Sequence, residues 1–180
     1  LPVQAGDDEV LANMRRGYTR EDYLELVARI RTSMPEVGLT TDIIVGFPGE
    51  TVAQFDRTID LVQRIRFDKV HLAAYSIRPG TIASRRLADD VPIEEKRRRH
   101  TLLEDVQREI AREINQELVG STQEILVEGY KDACWHGRTR SNKLGYIEVG
   151  ECRVGEVVRV EITEAGPWSL RGKLIRRGRR

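Results

Sequence analysis

Residues 40–50 read Thr40-Thr41-Asp42-Ile43-Ile44-Val45-Gly46-Phe47-Pro48-Gly49-Glu50. An apolar run ends here in a glycine–proline turn and stops at an acid, and a helical pattern begins at once. In an α/β protein that succession places ligand-facing groups at the carboxyl end of a strand. Ile43, Ile44 and Val45 run consecutively, which predicts a strand covered on both faces. Thr51 and Gln54 then form a capping box, opening a helix whose apolar face is Phe55, Ile59, Val62 and Ile65.

Upstream, residues 1–8 predict an extended turn. Val10, Leu11 and Met14 predict a short helical turn that Gly17 ends. Thr19 and Asp22 resemble a second capping box. Tyr23, Leu26, Val27, Ile30 and Met34 follow at helical spacing until Pro35. Downstream, residues 69–76 predict another strand, closed by the turn at 77–81. Helix, strand, helix, strand with short connections is the grammar of a parallel sheet. Two or three strands cannot cover themselves, so further strands are expected from elsewhere. The chain opens Leu1-Pro2-Val3-Gln4 with no initiator Met and reads as the interior of a longer protein.

Next comes a long helix at 92–118. Asp90 is the expected N-cap, with Pro92, Glu94 and Glu95 suiting the first turn. Leu103, Val106, Ile110, Ile114 and Leu118 mark its apolar stripe, and Gly120 its stop. Lys96-Arg97-Arg98-Arg99 reads as a solvated face among neighbouring acids, or as a contact for a polyanion. From Ser121 the pattern changes to short strands at 124–130, 135–140, 146–149, 157–162 and 170–175, spaced by glycines. Such spacing predicts a small closed barrel of OB-like kind. The fold expected is therefore α/β plus all-β, ending in a basic tail at 177–180.

The 180 residues are 39% hydrophobic and 33% charged, as in a soluble, polar protein. No apolar run approaches the roughly 20 residues that span a bilayer, and no signal peptide opens the chain. Two cysteines, Cys134 and Cys152, are too few for a disulfide scaffold and lack the pairing of a zinc or iron–sulfur site. They suit a reducing compartment, with the cytoplasm as default. His71 reads as a packed histidine, and His100 and His136 are isolated. The net charge of +1 hides an asymmetry: residues 121–180 hold 12 Lys+Arg against 8 Asp+Glu. A basic C-terminal third points weakly to a polyanion.

The 46–50 loop is neither a P-loop nor GxGxxG. Glu50 at its mouth disfavours phosphate and would rather meet a cation, an amine or ribose hydroxyls. On spacing alone, the better reading is a strand-to-helix turn whose acid favours the helix dipole. Asp42 is either satisfied by neighbouring backbone or faces a site. Arg78 either forks a carboxylate or holds its turn. In the barrel, Arg138, Arg140, Asn142 and Lys143 cluster, and Arg171 and Lys173 share one face. With Trp135, Tyr146 and Trp168 they suit an RNA surface. Equally, the aromatics are core and Trp168 a corner plug.

Taken together, LPVQAG, MRRGYTREDY, TDIIVGFPGET, YSIRPGT, GRTRSNK and ITEAGPWSLRG, in that order along nearly the whole chain, resemble the radical S-adenosylmethionine methylthiotransferases. GRTRSNK and WSLRG favour the tRNA-modifying branch over the paralogue that modifies a ribosomal protein. The resemblance implies that residues 1–90 are the last part of an open, TIM-like (β/α)6 barrel, that 91–120 connect, and that 121–176 are a TRAM domain that binds RNA. It implies conversion of N6-isopentenyladenosine-37 in the anticodon stem-loop of tRNA to its 2-methylthio derivative, with S-adenosylmethionine and two 4Fe–4S clusters in the complete enzyme. By the same resemblance, Gln4, Gly6, Asp42, Ile44, Gly46, Glu50, Tyr75, Ser76 and Arg78 line the cofactor pocket. Arg138, Arg140, Asn142, Lys143, Trp168, Arg171 and Lys173 meet RNA. Ala5 stands where the family commonly has Ser. The family's CxxxCxxC and its N-terminal cysteines are absent from these 180 residues, so the isolated chain is expected to be catalytically incomplete. A stand-alone RNA-binding module is the alternative; an independent α/β enzyme is the weakest reading. Exposed parallel sheet edges invite self-association.

Overall fold

The computed structural model describes residues 1–148 and 150–175. Val149, assigned above to a strand, and the basic tail lie outside the described residues. The chain divides into two compact units, Leu1–Gln107 and Arg108–Arg180.

In the first unit, α1 (Asp8–Asn13) is capped by Asp7, whose side chain accepts from Glu9 and Val10 N–H. The predicted helix at 19 is α2 (Arg20–Ser33), with Thr19 and Asp22 forming the reciprocal box. Its inward face is Tyr23, Leu24 and Val27, whereas Leu26 and Met34 are exposed, against expectation. Strand β1 (Thr40–Val45) alternates in burial. Thr41, Ile43 and Val45 are buried and Asp42 and Ile44 only half-buried, so the strand is not covered equally on both faces. Helix α3 (Val52–Ile65) starts at the Thr51–Gln54 box and buries Phe55, Leu61, Val62 and Ile65. Strand β2 (Lys69–Ala74) pairs with β1 in parallel, Thr40 opposite Lys69 through Val45 opposite Ala74. On the other edge of β1, Gln4 forms a parallel bridge to Ile43. A five-residue helix, α4 (Ile82–Arg86), follows the second turn; its shortness left no periodic signal.

Helix α5 (Ile93–Gln116) crosses the division between units. Asp90 is not its cap: its carboxylate accepts the Gly49 N–H at 2.7 Å, tying down the turn after β1. Gln107, buried in the apolar stripe, donates to the Phe67 carbonyl at 3.0 Å.

The second unit contains β3 (Thr122–Lys131), β4 (Cys134–Thr139), β5 (Leu144–Ile147), β6 (Val157–Ala165) and β7 (Ser169–Leu174). They close into a barrel in the order β3-β4-β5-β7-β6. Closure leaves no edge strand. Ile125, Val127, Ile147, Val158, Val160, Ile162 and Leu170 fill the interior, and Leu118 and Val119 pack against them.

Candidate functional site

The candidate residues fall in two places, one in each unit.

The first is the carboxyl end of β1 and β2. Gln4 is buried with φ 72°, a backbone state that is strained for a side chain of its kind. Its N–H donates to the Asp42 carbonyl and its carbonyl accepts the Ile44 N–H, both at 2.9 Å. Asp42 and Ile44 stand opposite His71 and Ala73 in the β1–β2 register. His71 is exposed, not packed as the sequence suggested. Neither Asp42 nor His71 has a side-chain hydrogen bond or ion pair among the described residues, which leaves this face chemically available.

The turn itself is held from three sides. Gly46 has φ 68°, open to glycine at little cost, and a Cβ there would lie 2.4 Å from Lys96 Cγ. Its N–H donates to Glu50 Oε2 at 2.6 Å. The same oxygen accepts from Arg99 Nη1 at 2.7 Å, and that guanidinium also donates to the Glu50 carbonyl. Both side chains are almost wholly buried, at 1% and 3% exposure. Glu50 Oε1 is buried with no partner among the described residues. Burial pushes the Glu50 carboxyl up, against the pull of the Gly46 N–H and Arg99. Of the two readings open in the sequence, Glu50 therefore takes the structural one first: it folds back on the turn and is not displayed at its mouth.

Tyr75 continues β2, donating its N–H to the Val45 carbonyl at 2.9 Å. Its ring meets Phe47 edge-on, with centroids 5.2 Å apart, and lies 5.2 Å from Lys96 Nζ. Ser76 and Arg78 are exposed. The turn at 78–81 is held by Thr81, which donates to the Arg78 carbonyl, so the Arg78 side chain is not needed to hold it. Gly6 packs so closely that a Cβ would lie 2.5 Å from Thr58 Cα, and its N–H donates to Thr58 Oγ1. A substituent there would displace α3 from the strand ends.

Sequence reasoning missed Lys96 and Arg99. Neither lies on a solvated face: Lys96 pairs with Asp89 at 2.5 Å and Arg99 with Glu50. Their signal was the spacing 96, 99, 103, 107, 110, which puts them on the stripe of Leu103 and Ile110. Arg97 and Arg98 are exposed and form their ion pairs with Glu94 and Glu95 of their own helix.

The second place is the outer surface of the barrel. The 139–143 turn is braced by Thr139, whose hydroxyl accepts the Lys143 N–H at 3.0 Å, and Asn142 takes φ 62°, which Asn tolerates. Arg138 donates to the Asn142 carbonyl at 3.2 Å. His136, Tyr146 and Arg171 lie side by side across β4, β5 and β7. The Arg171 guanidinium sits 5.6 Å from the Tyr146 ring centroid. The Tyr130 and Trp135 rings meet at a tilt of 58° across β3 and β4, with centroids 4.9 Å apart. Trp168 is 49% exposed and so is no buried plug. Asn115 donates to the Gly166 and Pro167 carbonyls and fixes the turn that presents it.

Cys134 is half-buried on β4, and Cys152 is buried, its thiol pushed up by burial. Among the described residues no three His, Cys, Asp or Glu side chains are grouped to hold a metal. The side chains present therefore do not fit an iron–sulfur cluster. No helix among the described residues is long and apolar enough to cross a membrane.

Residues 1–62 match the Radical SAM superfamily model and residues 116–175 the TRAM domain model. The chain is similar to tRNA-2-methylthio-N(6)-dimethylallyladenosine synthases. With that of Dehalococcoides mccartyi (strain ATCC BAA-2266) it is 51% identical over 98% of this chain and 42% of the relative. With that of Herpetosiphon aurantiacus it is 49% identical over 97% and 41%. With that of Acetivibrio thermocellus it is 44% identical over 98% and 37%. The chain thus spans about two fifths of the length of these curated relatives.

Proposed function

We propose that this chain, which belongs to the radical S-adenosylmethionine methylthiotransferase family, is the part of a tRNA 2-methylthiolating enzyme that supplies one wall of the cofactor pocket and the RNA-binding barrel. The reaction is conversion of N6-isopentenyladenosine-37 in the anticodon stem-loop of tRNA to its 2-methylthio derivative. The observation that carries the reading is the pairing, in one chain, of a Radical SAM segment with a TRAM domain, alongside about 50% identity to synthases so named. Residues 1–90 would be the last strands of an open (β/α)6 barrel. Only the β1–β2 pair and the Gln4 bridge support that here.

In this reading S-adenosylmethionine and two 4Fe–4S clusters supply the radical and sulfur chemistry. The cluster ligands do not come from these residues. For S-adenosylmethionine the fit is better. Gln4, Asp42, Ile44, Tyr75, Ser76 and Arg78 line the strand ends, with Asp42 able to accept from an amine or a ribose hydroxyl. Gly6 and Gly46 let the strand ends sit close to α3 and Lys96, and Glu50 fixes the turn between them. In the barrel, Arg138, Arg140, Lys143, Arg171 and Lys173 would meet phosphates. Asn142 would meet a base edge, and Trp168 would stack on a base.

Splicing residues 1–176 into the Dehalococcoides relative, in place of its matching segment, tests this. Expressed in a host lacking the modification, the chimera should restore 2-methylthio-N6-isopentenyladenosine to digested tRNA, read by mass spectrometry. A soluble, cluster-loaded chimera that leaves the nucleoside unmodified would sink the proposal. The stand-alone RNA-binding reading draws on the barrel closing within its own unit. It requires salt-dependent tRNA binding by this chain without any other polypeptide.

A further inference from the structure

The barrel's positive charge is cancelled locally. Residues 121–175 hold eight Lys+Arg and eight Asp+Glu, so the excess of the C-terminal third lies wholly in the four arginines of residues 176–180. The balance is also geometric. Arg140 Nε donates to Glu124 at 2.6 Å, Arg171 Nη1 to Glu148 at 3.3 Å, and Arg138 Nε lies 3.7 Å from Glu128. Lys173 stands opposite Glu161 in the β6–β7 register, and Glu124 opposite Arg159 in the β3–β6 register. Each arginine expected to meet RNA thus has a carboxylate from a neighbouring strand or turn against it. All three of these carboxylates are themselves well exposed, at 43%, 36% and 44%.

A surface selected only for attraction to phosphate would not place an acid on each of these three arginines, because each acid repels the approaching backbone and removes counterion-release free energy. The arrangement suits a surface that must bind one RNA and refuse others. An acid against an arginine fixes the fork in one direction. Phosphates that arrive at that geometry exchange with the carboxylate, and phosphates elsewhere meet its charge. The aromatic side chains Tyr130, Trp135 and Trp168 lie outside this cancellation.

We propose that Glu124, Glu128 and Glu148 are specificity-determining residues of the barrel: they mask Arg140, Arg138 and Arg171 against unstructured RNA while holding them aligned for a folded tRNA. This rests on the RNA-binding reading above. The test is fluorescence anisotropy on the full chain, across a salt series, with bulk tRNA and with an oligouridylate of about 20 nucleotides, long enough to fill one barrel of this kind. In the Glu124→Gln/Glu128→Gln/Glu148→Gln variant, oligouridylate affinity should rise about tenfold at low salt, and its log–log salt slope should steepen by about two, near 0.7 per unmasked contact. Affinity for tRNA should rise no more than about threefold, because released charge is offset by lost alignment. Selectivity therefore falls. An unchanged ratio of the two affinities overturns the proposal, as does an equal rise in both. Glu128→Gln alone repeats the test should the triple variant misfold. The Arg138→Ala/Arg140→Ala/Arg171→Ala variant separates the failures. If it binds tRNA as the parent does, the RNA role of this face falls, and this proposal with it. If it loses tRNA while the Glu variant keeps its selectivity, only the masking role falls.

Discussion

Arg99 and Arg140 make ion pairs of nearly equal length, 2.7 Å to Glu50 and 2.6 Å to Glu124. Their surroundings differ completely. The Arg99 pair is 3% and 1% exposed, and the Arg140 pair 88% and 43%. In the first unit the guanidinium replaces water around a carboxylate that also holds the Gly46 N–H, so it belongs to the turn's architecture. In the barrel, water stays on both partners and either can be exchanged for a ligand. Distance between charges does not say which role an arginine plays; what surrounds the pair does.

Removing Arg99 should have the largest effect. Arg99→Met leaves the buried Glu50 carboxylate and carbonyl without their guanidinium donor, and breaking such a pair from one side costs about 3–5 kcal/mol. Hydrogen exchange at the β1 amides reads it, because those residues sit in the unit's buried centre. The Arg99→Met/Glu50→Gln double variant should recover much of the loss, since the stranded charge is then gone. A single-variant loss below about 1 kcal/mol would mean that the pair is no more structural than a surface one.

How far these roles were legible depends on what fixes them. The Thr19–Asp22 and Thr51–Gln54 boxes were readable because a cap is a local bargain between residues three apart. All five barrel strands were readable because glycines punctuate them and side chains alternate. The Lys96–Arg99 run was misread because four successive basic residues on a helix point in different directions. Only a neighbour 49 residues away in sequence decides that Arg99 faces Glu50. Asp90 was misread for the same reason: its partner is Gly49, not the helix it precedes. The Ile43–Val45 run failed differently. Consecutive apolar residues predict two covered faces, yet the side bearing Asp42 and Ile44 is only half-buried while Thr41, Ile43 and Val45 are buried. The cofactor residues came from family motifs, as spacing alone could not separate a ligand-facing acid from a turn acid.

Glu95 stands between the two extremes and yields the next largest effect. It accepts from Arg98 and from the buried Arg99, which hold its carboxyl at about 2, well under the usual range. A folded value below the unfolded one stabilises above the ordinary carboxylate range and is lost as pH falls through it. Acid should therefore weaken the first unit between about pH 4.5 and 2, by on the order of 1 kcal/mol after solvent screening. Glu95→Gln should flatten that limb. Glu50 has the opposite sign: raised by burial, it favours the fold at low pH and gives that up as pH rises through its folded value. Glu50→Gln should thus flatten the slope above pH 4.5, where Glu95→Gln does nothing. Variants that alter the same limb would show that the two carboxylates are not separately placed.

The smallest effect on stability belongs to Arg140. Arg140→Ala removes a pair whose arginine is 88% exposed, and it creates neither a cavity nor a buried charge. Exposed pairs of this kind contribute about 0–1 kcal/mol, and replacements away from packing change stability by about 0.5 kcal/mol or less. Thermal unfolding followed by the fluorescence of Trp135 and Trp168, both in the barrel, should hardly move. The informative result is the contrast within one variant: an unchanged midpoint together with weaker tRNA binding and a shallower salt slope. A midpoint that drops as far as that of Arg99→Met would place Arg140 in the architecture, and the distinction between the two arginines would be lost. An unchanged midpoint with unchanged tRNA affinity would leave Arg140 paired with Glu124 and nothing else, and the barrel's recognition would then rest on its aromatic side chains.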